Sequence, residues 1–223
     1  MKKRENIITA VILLILLCVC VAVDFSLPSY HIAVKVIEKA SVYALVAVSM
    51  NLLNGFTGLF SLGQAGFMLL GAYSYAVLTI PMDKKAGVYQ YFDGGALKFS
   101  LPDFFSSFLG DSAGTVAGML AALLVGGLLA GLFAFLIGLP VLRLKSDYLA
   151  IATLGFAEIL KAFFQWNALG PITNGSNLLK SYPAFSHPTA YVVLAGVFIA
   201  FIVLLINSTY GRAFKAIRDD EVA

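Results

Sequence analysis

Charged residues are scarce in this chain: only 12% of its 223 residues are Asp, Glu, Lys or Arg, whereas 60% are hydrophobic. A soluble domain carries roughly a quarter of charged residues. The apolar residues also come in blocks, several of them near the length of about 20 residues that a helix needs to cross a bilayer. The sequence therefore excludes an ordinary soluble domain and predicts an all-α fold, a polytopic transmembrane helical bundle.

Cysteine and histidine are nearly absent. Cys18 and Cys20 lie in one apolar run, which indicates neither a disulfide framework nor a metal site. His31 and His187 fall in separate predicted loops and lack the spacing of metal ligands. We therefore expect no metal and no cofactor, and the net charge of only +3 gives no reason to expect a nucleic-acid partner.

The motifs of common nucleotide-binding and hydrolytic sites are also missing. No G-x-x-x-x-G-K-[ST] loop occurs, so the chain cannot bind ATP in that way, and neither H-E-x-x-H nor G-x-S-x-G is present. No series of acidic or histidine residues runs through the apolar segments, which argues against a proton-driven pump. The sequence gives no support for an enzyme.

About six membrane spans can be drawn, and we treat residues 1–223 as a single transmembrane domain. The first span could instead be a cleavable signal peptide, but no small-x-small cleavage site precedes Asp24, which favours a helix that stays in the membrane. Residues 81–114 form the longest loop, in which "LPDFFSSFLG" is apolar enough to lie on the membrane surface. The spans run approximately over residues 7–23, 36–53, 59–80, 115–139, 148–165 and 189–206.

The basic residues indicate the orientation of these spans. Short cytoplasmic connections of membrane proteins are enriched in Lys and Arg. An N-terminus inside the cell places residues 81–114 outside, and it places on the cytoplasmic side the basic residues Lys2, Lys3, Arg4, Arg143, Lys145, Arg212, Lys215 and Arg218.

The segment "NGFTGLFSLGQAGFMLLGAY" combines five glycines with small polar residues. Small residues let helices approach closely in lipid, which predicts a central position for the third span. Two interpretations of "NGFTG" remain open: a tight turn between two spans, or an irregular segment that lines a translocation pathway. The candidates for packing or for the pathway are Asn54, Gly55, Gly58, Ser61, Gly63, Gln64, Gly66 and Gly71.

Glu158 and Lys161 are the ionisable residues of the fifth span. Their spacing of three lets the two side chains face each other on a helix. A gate in a solute pathway and an ion pair near the outer interface, with Lys161 extended toward water, are both open, and the ion pair is the simpler interpretation.

The last segment, "YGRAFKAIRDDEVA" (Tyr210–Ala223), is strongly charged. A positive flank after the sixth span would explain its basic residues alone, but not Asp219, Asp220 and Glu221. Acids oppose the dipole at a helix C-terminus and stabilise an N-terminus. We therefore expect a helix in which Phe214 and Ile217 share a face and which ends near residue 218. We also expect the acids to begin a further helix, with the chain being part of a longer protein whose C-terminal part is missing here.

Three segments together resemble LivM-type permeases, the membrane subunits of branched-chain amino acid ABC importers. They are "NLLNGFTGLFSLGQAGFMLLGAY" (Asn51–Tyr73), "LPVLRLKSDYLAIATLGFAEILK" (Leu139–Lys161) and the last segment, in the same order and with similar spacing. "ITNGSNLL" (Ile172–Leu179) matches the family only loosely, so no role is carried over to it. The loop of residues 81–114 also looks expanded relative to the family.

The resemblance implies a permease subunit that imports leucine, isoleucine and valine across the cytoplasmic (inner) membrane and is surrounded by membrane lipid. Its implied partners are a second, LivH-type permease, two cytoplasmic ABC ATPases that hydrolyse the ATP, and an extracytoplasmic substrate-binding protein. Residues 207–223 would be the coupling segment that docks on an ATPase. The residues implied in coupling are Tyr210, Gly211, Arg212, Phe214, Lys215, Ile217, Arg218, Asp219, Asp220 and Glu221.

Other functions remain as alternatives. Urea or another small amide or amino acid would suit permeases with the same motifs. A stand-alone channel or secondary carrier would need a selectivity filter or an ion-coupling residue near the midplane, and neither is evident. A membrane-embedded scaffold protein is a third possibility. Only the ABC importer requires a docking helix for an ATPase.

Overall fold

The structure is a computed structural model that describes residues 15, 17–26, 28, 31–144 and 146–219. Within these residues the regular secondary structure is helical, as predicted. A π-helical turn runs over Leu52–Phe56 and a 3₁₀ turn over Asn167–Leu169. The helices are α1 (Leu17–Ser26), α2 (Ile32–Asn51), α3 (Gln64–Thr79), α4 (Met82–Val88), α5 (Leu101–Leu109), α6 (Asp111–Val141), α7 (Ser146–Gln165), α8 (Gly170–Thr173), α9 (Pro188–Asn207) and α10 (Thr209–Asp219).

Three of the described helices are long and apolar enough to cross a membrane. They are α6, with 31 residues, the Tyr148–Gln165 part of α7, with 18, and α9, with 20. These helices confirm the fourth, fifth and sixth predicted spans. Most of the first predicted span (residues 7–14 and 16) lies outside the described residues, and its end forms the short helix α1. A total of six spans stays a prediction.

The second and third predicted spans had wrong boundaries. Helix α2 begins four residues earlier than predicted and carries Lys35, Glu38 and Lys39, so it is more polar than the other long helices. Helix α3 has only 16 residues, because residues 57–63 are not helical. Hydroxyl groups compete there for backbone partners: Thr57 Oγ1 donates to the carbonyl oxygen of Leu53, and the N–H of Leu59 donates to Thr57 Oγ1 at 3.4 Å.

The chain divides into two compact units, although a single domain over residues 1–223 stays our prediction for the protein. The first unit consists of residues 1–59 and 184–223, and in its described part α2 packs along α9. At one end of this unit, Asp24 of α1 contacts the start of α9. Its Oδ1 lies 3.0 Å from His187 Nδ1, and Thr189 Oγ1 donates to its Oδ2 at 2.8 Å. These hydrogen bonds tie α1 to α9.

The second unit, residues 60–183, is built around α3, α6 and α7. The sequence did not predict the helical hairpin in which α5 folds back along α6. Gly114 and Gly118 of α6 are buried there, and a Cβ atom at either position would collide with the backbone of Ser106 or Pro102. The segment expected on the membrane surface is therefore packed on α6 by one face, while Phe108 on its other face stays exposed.

Helix α4 and the loop after it are fixed by two buried polar side chains. Lys85 Nζ donates to the carbonyl oxygens of Leu97 and Phe99, and the hydroxyl of Tyr89 donates to the carbonyl oxygen of Ile172 at 2.8 Å. Burial lowers the pKa of Lys85, with the Asp103 carboxylate acting in the opposite direction. Burial raises the pKa of Tyr89 to about 12. In both groups, burial favours the neutral form over the charged form, compared with the same group in water.

Candidate functional site

The predicted helix in the last segment is present as α10. Ser208 separates it from α9: its backbone is extended (φ −82°, ψ −178°), and its Oγ accepts a hydrogen bond from the N–H of Tyr210 at 3.2 Å. A serine in this position caps a helix N-terminus and satisfies one of its free N–H groups. Helix α10 extends to Asp219, one residue past the predicted end. The side chain of Asp219 and all of Asp220 and Glu221 lie outside the described residues.

One face of α10 contacts the rest of the first unit. Gly211 is buried against α9, where a Cβ atom would collide with the Ile206 carbonyl group. Phe214 is half-buried. Lys215 and Arg218 follow on the same face, since positions three, four and seven residues apart align on a helix. This inner face explains the glycine, because only a residue without a side chain lets α10 turn so closely back on α9.

The opposite face of α10 is exposed. At about 100° per residue, Tyr210, Ala213, Ala216 and Ile217 fall on the side away from Gly211. Tyr210 is 70% and Ile217 is 42% exposed. The sequence predicted that Phe214 and Ile217 share a face, but only Phe214 turns partly toward the protein. The outer face is therefore small and apolar, and Arg212 lies at its edge.

The inner face of α10 lies against residues 52–58, which comprise the π-helical turn, Thr57 and Gly58. The ammonium group of Lys215 lies over the ring of Phe56, 5.7 Å from its centroid. Gly58 has a φ of +71°, and a Cβ atom there would be 2.8 Å from Arg218 Cγ. The structure thus brings together two segments that the sequence singled out separately, "NGFTG" and the last segment.

Close approach also explains Gly55. A Cβ atom there would collide with the side-chain oxygen of Asn51, one turn earlier. Asn54, the other polar residue of this turn, is half-buried. The 52–58 segment is an irregular segment rather than a short tight turn. A role in lining a pathway stays a prediction.

The other packing candidates lie in the second unit, and their glycines contact neighbouring helices. Gly63 and Gly66 face Thr153 and Ala157 of α7, and a Cβ atom at Gly126 of α6 would lie 3.3 Å from the carbonyl oxygen of Gly71. Ser61 is buried and its Oγ accepts from the N–H of Gly63 at 3.4 Å, while Gln64 begins α3 and is half-buried. Helix α3 thus packs against α6 and α7 and also approaches α5 and α8, and a central position in the bundle stays a prediction.

Glu158 and Lys161 face each other on α7 as predicted. Lys161 Nζ lies 3.4 Å from Glu158 Oε2, and the side chains of Lys161 and Glu158 are 53% and 66% exposed. An exposed pair contributes about 0–1 kcal/mol. The geometry is that of a peripheral ion pair, and a gating role stays a prediction.

Two cavities of the second unit were not predicted. One has a volume of about 600 Å³ and is almost entirely apolar. The other, of about 400 Å³, is more polar and is lined by Gln165, Asn177, Tyr182 and others. Tyr73 lines both. Their sizes lie in the range of small-molecule sites. Part of the apolar wall could have been found from the helical spacing of Phe156, Leu160 and Phe163, which places these side chains on one face of α7.

Next to the smaller cavity is the segment to which the sequence assigned no role. Asn174 is 1% exposed and has a left-handed backbone (φ 64°). Its Nδ2 donates to the carbonyl oxygen of Leu178 at 3.2 Å, but its Oδ1 has no hydrogen-bond partner within the described structure. Across the described residues, no group of three or more His, Cys, Asp or Glu is placed to hold a metal ion.

Comparison with known proteins agrees with these features. A family model described as "Branched-chain amino acid transport system / permease component" matches residues 32–223. The chain is 27% identical over 225 residues to the "High-affinity branched-chain amino acid transport system permease protein LivM" of Salmonella typhimurium strain LT2. It is 26% identical over 224 residues to the protein of the same name from Escherichia coli strain K12. No solved structure matches it.

The alignments cover 86% and 85% of this chain but only 45% and 44% of the two relatives, so the chain spans less than half of their length. They confirm the resemblance to LivM-type permeases. Together with the three long apolar helices, they indicate a multi-pass protein of the inner membrane. The family is one of transport permease components and not of enzymes. Because the family match extends over most of its length, this chain belongs to the branched-chain amino acid transport permease family.

Proposed function

We propose that this chain is part of the membrane-spanning permease of an ABC importer that carries branched-chain amino acids across the inner membrane. The observation that carries the proposal is α10, a short helix with one face fixed to the protein and an exposed apolar face. A family match over residues 32–223 and two relatives named as branched-chain amino acid permeases support the same function.

The exposed face of α10 would dock on a cytoplasmic ABC ATPase. Tyr210 and Ile217 provide the large apolar side chains of this face, and the alanines between them allow close approach. An interface typically places aromatic and apolar side chains at its centre with charged groups at the edge. Arg212 would provide such an edge. Gly211, Phe214, Lys215 and Arg218 would act by holding α10 in place. Asp219 would end the docked helix, and Asp220 and Glu221 would follow it.

The remaining partners follow from the proposed complex. A second, LivH-type permease would complete the translocation path, two ATPases would hydrolyse ATP, and an extracytoplasmic binding protein would deliver the solute. Asn54, Gly55, Ser61, Gln64, Glu158 and Lys161 are then candidates for packing or for the path, as are Gly58, Gly63, Gly66 and Gly71. The basic residues of α10 favour a position in the cytoplasm, together with the N-terminus.

Uptake of radiolabelled leucine tests this function. The gene is deleted in cells that lack other leucine importers, and uptake is measured with and without an intact copy. We expect uptake to depend on the intact gene, on ATP and on the predicted partners, and to fall at least tenfold for Ile217→Glu. Leucine uptake that is undiminished in the deletion strain would contradict the proposal. Gene-dependent uptake of urea that leucine does not inhibit would show that the substrate is urea, while the assignment as an ABC importer would stand.

A further inference from the structure

We propose that residues 52–58 are the element through which movement of α10 is passed to α2, with Phe56 and Gly58 as positioning residues. This inference rests on the proposed function, since it presumes that α10 moves with a bound ATPase. It goes further by naming the part of the membrane bundle that receives the movement.

The contacts of α10 select this segment. Lys215 and Arg218, one helical turn apart on α10, contact Phe56 and Gly58, two residues apart in the segment. The described α10 also packs on α9, but there it joins a helix that precedes it directly in the chain. Through residues 52–58 it contacts a part of the chain about 160 residues away in sequence. A displacement of α10 must therefore shift either these two contacts or the segment itself.

Gly58 lies close to the side chain of Arg218 of α10. Its left-handed backbone (φ +71°) favours glycine, and its Cα hydrogen faces the Arg218 side chain, whose Cγ would be 2.8 Å from a Cβ atom. The ammonium group of Lys215 over the Phe56 ring adds attraction at the other contact, within the distance of about 6 Å at which such pairs interact. The segment is therefore held to α10 by close packing at one point and by attraction at the other.

The winding of the segment gives it a second possible arrangement. A π-helical turn closes its hydrogen bonds one residue further along than an α-helix and is frequently found at functional sites. If residues 52–56 rewound as α-helix, the chain after them would shift by one residue, about 1.5 Å in rise and 100° in rotation. Helices and turns with two discrete arrangements are the usual carriers of conformational coupling.

Local hydrogen bonds hold the present arrangement. Leu52 continues α2, because its N–H donates to the carbonyl oxygen of Val48. Thr57 Oγ1 donates to Leu53, four residues earlier, and the side chain of Asn51 lies against Gly55. These side chains contact residues only four positions away in the chain, so the contacts do not depend on another helix. The π-helical turn is thus stabilised from inside the segment and contacted from outside by α10.

Gly58→Ala tests the proposal, with Gly110→Ala as matched control. Gly110 also has a positive φ (+83°, with ψ 165°), a backbone that disfavours any side chain, but no atom lies within 4 Å of the position that a Cβ atom would take there, so its substitution introduces backbone strain without the contact. Both variants are made in the complete protein, assembled with its partner subunits and reconstituted into vesicles. Co-purification of the ATPase subunits, ATP hydrolysis and leucine uptake are measured for each.

We expect Gly58→Ala to co-purify with the ATPase normally but to transport roughly tenfold less leucine for each ATP hydrolysed, a typical size for conformational coupling. Gly110→Ala should remain within twofold of the unmodified protein. Arg218→Ala removes the Cγ atom that a Cβ atom at position 58 would meet. Adding Gly58→Ala to Arg218→Ala should therefore reduce the leucine transported for each ATP hydrolysed by less than threefold. Normal elution of each complex from a sizing column shows that the variants are folded.

Equal uptake per ATP for Gly58→Ala and Gly110→Ala would overturn the inference. The inference also fails if Gly58→Ala reduces the ratio tenfold even in the Arg218→Ala background, because the effect would then not pass through α10. Failure of the proposed function looks different: the unmodified protein would neither co-purify with an ATPase nor show ATP-dependent uptake.

Discussion

The ammonium group of Lys215 lies over the aromatic ring of Phe56, 5.7 Å from its centroid. Phe56 ends the π-helical turn after α2, and Lys215 lies in the middle of α10. The pair therefore connects the segment that contains "NGFTG" with the charged last segment. Lys215 is exposed, and a cation over an aromatic ring at an exposed site contributes about 0.5–1 kcal/mol. Such a contribution can hold a short helix in position without fixing it permanently.

A double-mutant cycle measures this pair. Lys215→Met keeps the length of the side chain and removes its charge, and Phe56→Leu removes the ring. We expect a coupling energy of about 0.5–1 kcal/mol in the free energy of unfolding, measured by thermal denaturation in detergent. Lys215→Arg should preserve the stability, since a guanidinium group also binds over a ring. Strictly additive effects of Lys215→Met and Phe56→Leu would show that the pair contributes nothing.

Lys85→Met tests the buried ammonium group of α4. The carbonyl oxygens of Leu97 and Phe99 would lose their shared donor inside the protein, so we expect a loss of about 1–3 kcal/mol in the free energy of unfolding. Limited proteolysis should then cleave residues 89–100 faster. Lys84→Met is the matched control, because Lys84 is exposed and its substitution should change the stability by less than about 0.5 kcal/mol. Equal effects of the two variants would refute this role of Lys85.

Tyr89→Phe tests the raised pKa at the same place. The pKa of the hydroxyl is about 12 in the folded protein against an ordinary 10.0, so the unfolded chain loses this proton first as the pH rises. The stabilisation is complete below pH 10 and is lost between about pH 10 and 12, at about 1.4 kcal/mol per pKa unit. The lowered pKa of Lys85 acts in the opposite direction and is common to both proteins.

The difference in the free energy of unfolding between Tyr89→Phe and the unmodified protein should therefore become smaller as the pH rises from about 10 to 12. At lower pH the variant should be less stable by about 1–3 kcal/mol, since the carbonyl oxygen of Ile172 loses its donor. Tyr91→Phe is the control, because Tyr91 is 70% exposed. The fluorescence of Trp166, the single tryptophan of the chain, reports unfolding. A difference that stays constant across this pH range would contradict the assignment.

Substitution of Glu158 and Lys161 separates the two interpretations of the pair on α7. Both side chains are more than half exposed, so Glu158→Gln and Lys161→Gln should each change stability by less than about 1 kcal/mol and leave leucine uptake within twofold. A tenfold or greater loss of uptake in either variant, with normal assembly, would instead support a gate.

The sequence predicted the features that depend on local pattern. The fourth, fifth and sixth predicted spans became α6, the apolar part of α7 and α9, and the described part of the charged last segment became α10. Spacing alone was sufficient to place Glu158 beside Lys161, because a helix brings residues three apart together. These are consequences of helical periodicity and do not require knowledge of the rest of the fold.

Features that depend on distant contacts could not be predicted. Nothing in "NGFTG" shows that its hydrogen bonds close five residues apart or that Arg218 lies against Gly58. The hairpin of α5 on α6 depends on how Pro102 fits against Gly118, and the loop appeared only apolar. Asn174 and the cavities arise from several helices at once. Amino-acid composition predicts which segments can be buried, but it does not predict which other segments they pack against.

A photo-crosslink from the exposed face of α10 tests directly whether this helix docks on the ATPase. A benzophenone amino acid replaces Tyr210, which is 70% exposed, in the complete importer, and in a parallel sample it replaces Leu178, which is 86% exposed in the second unit. We expect an adduct between the permease and the ATPase subunit from position 210, and none from position 178. Absence of an ATPase adduct from position 210 in an assembled, transport-active complex would contradict this docking.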